Sequence, residues 1–267
     1  MFKMKLTSLG VIETANGSFT NQAGTFSFEA DQLTKVIPMM MRRRLKGAGR
    51  NAVALGCLAL NFADDVDLVV FASRTGETIR CLHMLKEVLM GQALSPADFS
   101  GSVHNATAGV LAIVRKFKGE TTAVAAGKHT FRAGIDETYA ALACQNAKRV
   151  LLICFEDNLL GQDIMDFAGQ EEFGQAFAVA MLWEATPGGN GAQALSLQEA
   201  MDNKEAYTAL GLEENSALSS KFKLPQEVSW SGASADDAQT AIEVVHQLLA
   251  GQTILGTPLF YKRNFKQ

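Results

Sequence analysis

Residues 149–155, Arg-Val-Leu-Leu-Ile-Cys-Phe, place six apolar side chains in a row behind a single charge. Such a run is too short for an ordinary buried helix. Its β-branched and aromatic members fit a strand covered on both faces. Upstream, Phe131–Gln145 sets Ile135, Leu142 and Ala143 at helical spacing. Before that helix, Thr121–Ala126 (TTAVAA) reads as a second buried strand and Ala106–Val114 as a small-residue helix. Thr78–Met90 carries Ile79, Leu82, Leu85 and Leu89 along one helical face and closes at Gly91, and Asp67–Ser73 (DLVVFAS) reads as a further buried strand. Strands alternating with helices specify α/β architecture with a mostly parallel sheet.

Towards the N-terminus, Asn51–Asn61 is small and apolar throughout and reads as a buried helix. Pro38–Arg44 is a cluster of Met and Arg, Ala15–Gly24 reads as a Gly/Asn-rich turn, and Met4–Ile12 alternates as a strand does. Towards the C-terminus, the composition loosens after Thr186 into Pro-Gly-Gly-Asn-Gly. That shift divides the chain into a larger unit, 1–185, and a smaller C-terminal lobe, 186–267, that completes or covers the sheet. In the lobe, 193–197 and Pro258–Phe265 read as strands and Asp236–Leu249 as an amphipathic helix.

The 267 residues carry a net charge of −4, with basic residues scattered apart from Arg42-Arg43-Arg44. This distribution argues against nucleic acid and against an anionic membrane surface as partners. No stretch reaches the roughly 18 apolar residues of a membrane span, and the N-terminal stretch MFKMKLTSLGVIETANG lacks an apolar core long enough for a signal peptide, so none is expected. The expected location is cytoplasmic. Cys57, Cys81, Cys144 and Cys154 have no paired spacing and read as buried thiols in a reducing compartment. No Cys/His cluster has metal-ligand spacing, so neither a metal nor a cofactor is expected.

A search by chemistry alone finds little. The sequence has no Gly-x-Ser-x-Gly elbow, no phosphate-binding Gly-x-x-x-x-Gly-Lys loop and no His-Glu-x-x-His pair. Asp64-Asp65 and Glu171-Glu172 are sequence neighbours of the kind usually found on solvated surface. Arg74 and Glu77 read as a structural ion pair.

Three segments carry a recognisable pattern: VVFASRTGE at 69–77, LSPADFSGSVHNATAG at 94–109, and RVLLICFED at 149–157. Together they resemble the N-terminal half of β-ketoacyl synthases, and especially the short ketosynthase-like proteins of chain-length-factor type found in aryl-polyene and related type II polyketide pathways. The resemblance runs from about Leu6 to Glu184. It implies the thiolase fold, α/β with two similar halves, here truncated: the first half complete and the second reduced.

By the same resemblance, the position of the catalytic cysteine falls on Lys128, within Ala125-Ala126-Gly127-Lys128-His129. No cysteine lies within fifteen residues of it. An acyl group on a lysine would be an amide, a dead end rather than a carrier. Nothing around His246, the histidine of the C-terminal lobe, resembles a ketosynthase His motif. The family pattern therefore implies a non-catalytic subunit. Its partner would be a full-length, cysteine-bearing β-ketoacyl synthase, in a heterodimer that stabilises the enzyme and shapes its acyl tunnel. An acyl carrier protein would bind transiently, with Arg42, Arg43 and Arg44 as candidates for its acidic face or phosphopantetheine phosphate. The interface would comprise Val103, His104 and Asn105 with Thr121, Thr122, Ala123, Val124 and Ala125. Asp98, Phe99, Ser100 and Ser102 would limit chain length by excluding further two-carbon units, each methylene being worth about 1–3 kcal/mol. Phe99 as simple core packing stands beside that reading. The alternative is a malonyl-carrier decarboxylase or other cysteine-less acyl-processing enzyme, which needs an oxyanion hole but no nucleophile.

Overall fold

A computed structural model describes residues 4–13, 15–21, 23–63, 65–144, 147–159, 176–185, 213–214, 226–228 and 241–249. Its strands are β1 (Met4–Ile12), β2 (Asn16–Asn21), β3 (Gly24–Glu29), β4 (Leu68–Ala72), β5 (Glu120–Val124), β6 (Arg149–Glu156), β7 (Phe177–Ala185), β8 (Glu213–Glu214) and β9 (Gln226–Val228). Helices are α1 (Ala30–Leu33), α2 (Met39–Arg42), α3 (Gly47–Asn61), α4 (Thr78–Leu89), α5 (Pro96–Ser100), α6 (Ala106–Arg115), α7 (Thr130–Cys144) and α8 (Ala241–Leu249).

The strands join in one sheet, ordered β5-β4-β6-β7-β1-β2-β3-β8, with β9 also paired to β1. Side chains along β6 alternate between the two faces, as a period of two requires. Leu151, Ile153 and Phe155 join Val69 and Phe71 of β4 and Ala180 and Leu182 of β7 beneath α3 and α6. Val150, Leu152 and Cys154 join Val70, Val179, Met181 and Trp183 on the other face, beneath α7 and α8. In β1 the register shifts between Leu6 and Ser8, which returns Leu6 and Leu9 to the same face despite their odd spacing.

Two helical glycines set the layer spacing. A Cβ on Gly56 of α3 would lie 2.8 Å from both Ile153 Cδ1 and Leu111 Cδ2. One on Gly134 of α7 would lie 2.9 Å from Leu152 Cδ1 and 3.0 Å from Ala72 Cβ. Both helices ride closer to the sheet than alanine would permit.

Several expectations are corrected. Only the pairings of β4 with β5 and with β6 are parallel; the others are antiparallel, so the sheet is mixed. Ala15–Gly24 is not a turn but most of the β2–β3 hairpin, in which Phe19 pairs with Phe26 and the buried Thr20 and Thr25 hydroxyls bond each other at 3.0 Å. β7 was not anticipated, because the Ala, Met and Leu of its run favour helix. Among the described residues β5 is an edge strand rather than a buried one: it pairs with β4, and Thr121 is exposed. Cys57 and Cys154 are buried, but Cys81 and Cys144 are exposed. The strands expected at 193–197 and 258–265 and the start of the helix expected at 236 lie outside the described residues. Among those described, no helix is long and apolar enough to cross a membrane.

Candidate functional site

The C-terminal ends of β4 and β6 meet in a cluster of carboxylates, Glu77 buried and Glu156 and Asp157 half-buried. Glu156 accepts hydrogen bonds from the Arg74 amide, the Thr75 amide at 3.1 Å, Thr75 Oγ1 at 2.6 Å and Ser73 Oγ at 3.3 Å. Burial pushes its carboxyl above the ordinary value, and the hydrogen bonds only partly offset this. Asp157 accepts from the Ala48 amide at 2.6 Å and so caps α3 across space. Its carboxyl is raised too, by burial first and by the charge of Glu77 in addition, against the Ala48 bond. Glu77 takes Thr107 Oγ1 of α6 at 2.8 Å and Arg80 Nε at 3.1 Å.

Asp98, Phe99, Ser100 and Ser102 lie in and just beyond α5. Ser95 caps that helix, accepting the Asp98 amide, and Pro96 occupies its first turn. The Ser100 and Ser102 hydroxyls donate to the carbonyls of Ala97 (3.0 Å) and Phe99 (2.8 Å), so both serve their own turn. Phe99 is 65% exposed, which rules out core packing within this chain. The Asp98 carboxylate receives Arg80 Nη1 at 2.7 Å and lies 3.6 Å from Lys46 Nζ. Desolvation raises its pKa, but those two cations and their hydrogen bonds outweigh it and hold the carboxyl below the ordinary value.

Val103 and Asn105 are exposed, and the His104 ring lies against Gly76, whose positive φ of 51° suits a glycine turn. His104 Nε2 lies 2.7 Å from the Ser73 carbonyl and must donate to it, since a carbonyl only accepts. Along β5, Thr122, Ala123 and Val124 are half-buried, and Ala125 and Ala126 beyond it are exposed. Lys128 is exposed on the single turn Gly127–His129 that joins β5 to α7. The Ala126 amide donates to Thr130 Oγ1 at 2.9 Å, and that hydroxyl donates to the Gly127 carbonyl at 2.7 Å, closing the turn. Of the other histidines, His83 lies 3.5 Å from Glu87 and His246 lies 2.6 Å from Glu13, while His129 is half-buried on the turn beside Lys128.

The α4 stripe read from the sequence exists but is only partly covered, with Ile79 and Leu82 half-buried. Arg80 and Met84 are the buried residues of α4, whereas Leu85, Val88 and Leu89 are exposed, Leu89 at 77%. Arg80, Glu156 and Asp157 escaped the sequence reading as site-building residues. The available signal was their place next to the C-terminal ends of buried parallel strands, where α/β sheets assemble sites. Among the described residues no group of three or more His, Cys, Asp or Glu could hold a metal ion.

Residues 20–255 match the family model of the β-ketoacyl synthase N-terminal domain. The chain belongs to the β-ketoacyl synthase family. Its fold is that of the thiolase-like ketosynthases. A solved complex of a ketosynthase (ApeO) with its chain length factor (ApeC) from Xenorhabdus doucetiae is similar at 34% identity, with a TM-score of 0.52 over 57% of this chain. This ketosynthase-family chain spans 62% of the length of that matched chain. A β-ketoacyl synthase from Burkholderia phymatum aligns with 94% of this chain and 71% of its own, at 14% identity and a TM-score of 0.54, a likeness of fold alone. No curated protein matches the sequence.

Proposed function

We propose that this chain is a chain-length-factor-like subunit that pairs with a cysteine-bearing β-ketoacyl synthase and does not itself form the carbon–carbon bond. The observation that carries this reading is a surface the chain leaves uncovered. Phe99, Val103, Leu85 and Leu89 are all exposed, and β5 offers an unpaired edge among the described residues. Large apolar side chains left in solvent are candidates for a protein–protein contact, and an open edge invites another strand. Lys128 sits on the strand-to-helix junction between β5 and α7, and if that is the cysteine position, as the resemblance implies, the chain would supply no thiolate there to hold an acyl chain. The likeness to a solved complex of a ketosynthase with its chain length factor supports the same reading.

In the complex, β5 with Val103, His104 and Asn105 would face the partner enzyme, and Phe99 on α5 would reach the end of its acyl tunnel. The exposed Arg43 and Arg44 and the half-buried Arg42 would meet the acidic carrier protein or its phosphate. Aryl-polyene or related polyketide-type elongation is the proposed pathway class. Residues 186–267 are proposed as the lobe that completes the sheet; β8, β9 and α8 already join it.

The test is condensation from acyl- and malonyl-carrier protein, with this chain alone, a cysteine-bearing ketosynthase alone, and the two together. Product from the pair, and neither condensation nor carbon dioxide release from this chain alone, is the expected result. Carbon dioxide released from malonyl-carrier protein by this chain alone would mean a decarboxylase instead.

A further inference from the structure

Arg80 is 4% exposed, and its guanidinium reaches three separate segments. Nε donates to Glu77 Oε2 of its own helix at 3.1 Å, Nη1 to Asp98 Oδ1 of α5 at 2.7 Å, and Nη2 to the Arg44 carbonyl just beyond α2 at 2.6 Å. Gly101 closes over the group: a Cβ there would lie 3.1 Å from Arg80 Cζ. Lys46 adds a second link from the basic segment to Asp98.

These contacts matter because neither α2 nor α5 buries any of its residues. A helix of four or five residues is not held by intrinsic propensity, and the packing here is slight: Met41 of α2 lies against the core only half-buried, with Leu45 beyond the helix seated in it. The position of each short helix therefore depends also on what grips it from below. The planar fork of an arginine spreads its donors over a rigid frame and so reaches acceptors on separate segments, whereas a lysine gathers its three donors on a single nitrogen. Glu77, held in turn by Thr107 of α6, fixes the base of the fork.

The geometry points to Arg80 as a positioning residue that couples the basic segment 39–46 to the chain-length segment 95–102. The coupling itself rests on the contacts described. Its meaning rests on the proposed function, in which the first segment receives the anionic carrier and the second limits the chain. Movement of the Arg44 peptide on docking is then transmitted through one guanidinium to α5, so carrier engagement and tunnel depth are set together.

Hydrogen exchange on the full chain tests the coupling. The reporters are the amides of Met41–Leu45 and of Phe99–Ser102, which bond within their own turns. Arg80→Lys is expected to speed exchange in both segments by about ten-fold or more, the loss expected for charge-assisted bonds. Arg115→Lys, which disturbs a bond to the Leu60 carbonyl, is the control and should change neither. Asp98→Asn decides the matter even if the Arg80 variant folds poorly. It touches α5 directly, and the coupling requires that exchange at Met41–Leu45 also rise. Exchange faster at Phe99–Ser102 but unchanged at Met41–Leu45 overturns the proposal. In the reconstituted complex, Arg80→Lys should shift the ratio of product lengths; an unchanged ratio overturns its role at the gate. If the wild-type chain forms no complex with a ketosynthase, the functional reading fails, while the exchange result still decides the coupling.

Discussion

Asp98 and the Glu156–Asp157 pair are carboxylates pushed in opposite directions, and pH should separate them. Asp98 is held below the ordinary value of 3.8, so the stability it contributes is present at neutral pH and is lost as pH falls through its lowered folded value. Glu156 and Asp157 are raised by burial, so their ionisation costs stability as pH rises through their folded values. Asp98→Asn should therefore destabilise the protein by about 1.5–3 kcal/mol at neutral pH, the range for hydrogen bonds to charged groups. Urea unfolding at a series of pH values should show this gap closing once pH drops below the ordinary carboxylate range. A gap that persisted there would mean that the Arg80 and Lys46 charges are not what Asp98 supplies. At this scale the sequence was least legible. Arg80, one place along from Ile79, carries no mark of burial, because only the packed structure reveals three acceptors converging on one guanidinium.

At the scale of elements, the strands and helices of the central layer were legible because their periodicities are strong. β4, β6, α3, α6 and α7 fall within a few residues of their expected bounds. What periodicity does not reveal is what covers a face. The stripe Ile79, Leu82, Leu85, Leu89 is apolar as expected, yet its second half is exposed, and TTAVAA, which has the pattern of a buried strand, lies at the sheet edge among the described residues. The β2–β3 hairpin was missed because Gly, Asn, Ser and Thr dominate its composition, although Phe26 and Phe28 kept the alternation of a half-buried strand. The close approach of α7 to the sheet gives a test of packing. Gly134→Ala improves helix propensity but sets a Cβ against Ala72, a backbone-fixed neighbour that cannot swing aside. Thermal unfolding should show net destabilisation of about 1–3 kcal/mol, the cost of overpacking a filled core. A neutral or stabilising outcome would show that the α7 layer has slack.

On the scale of the whole molecule, the family was legible from three short segments, and the match over residues 20–255 places the chain in it. The positions proposed for the chain-length segment and the interface are surface features of this chain, which is why composition and periodicity alone could not assign them. Phe99, Val103, the α4 stripe and the open edge of β5 acquire a common explanation only if a second subunit covers them. Co-expression with a cysteine-bearing ketosynthase, followed by size-exclusion chromatography with light scattering, tests that claim most directly. The expected result is a one-to-one complex that is lost on Val103→Asp, a substitution at an exposed position that leaves the isolated fold intact. A monodisperse homodimer that ignores the ketosynthase would contradict it.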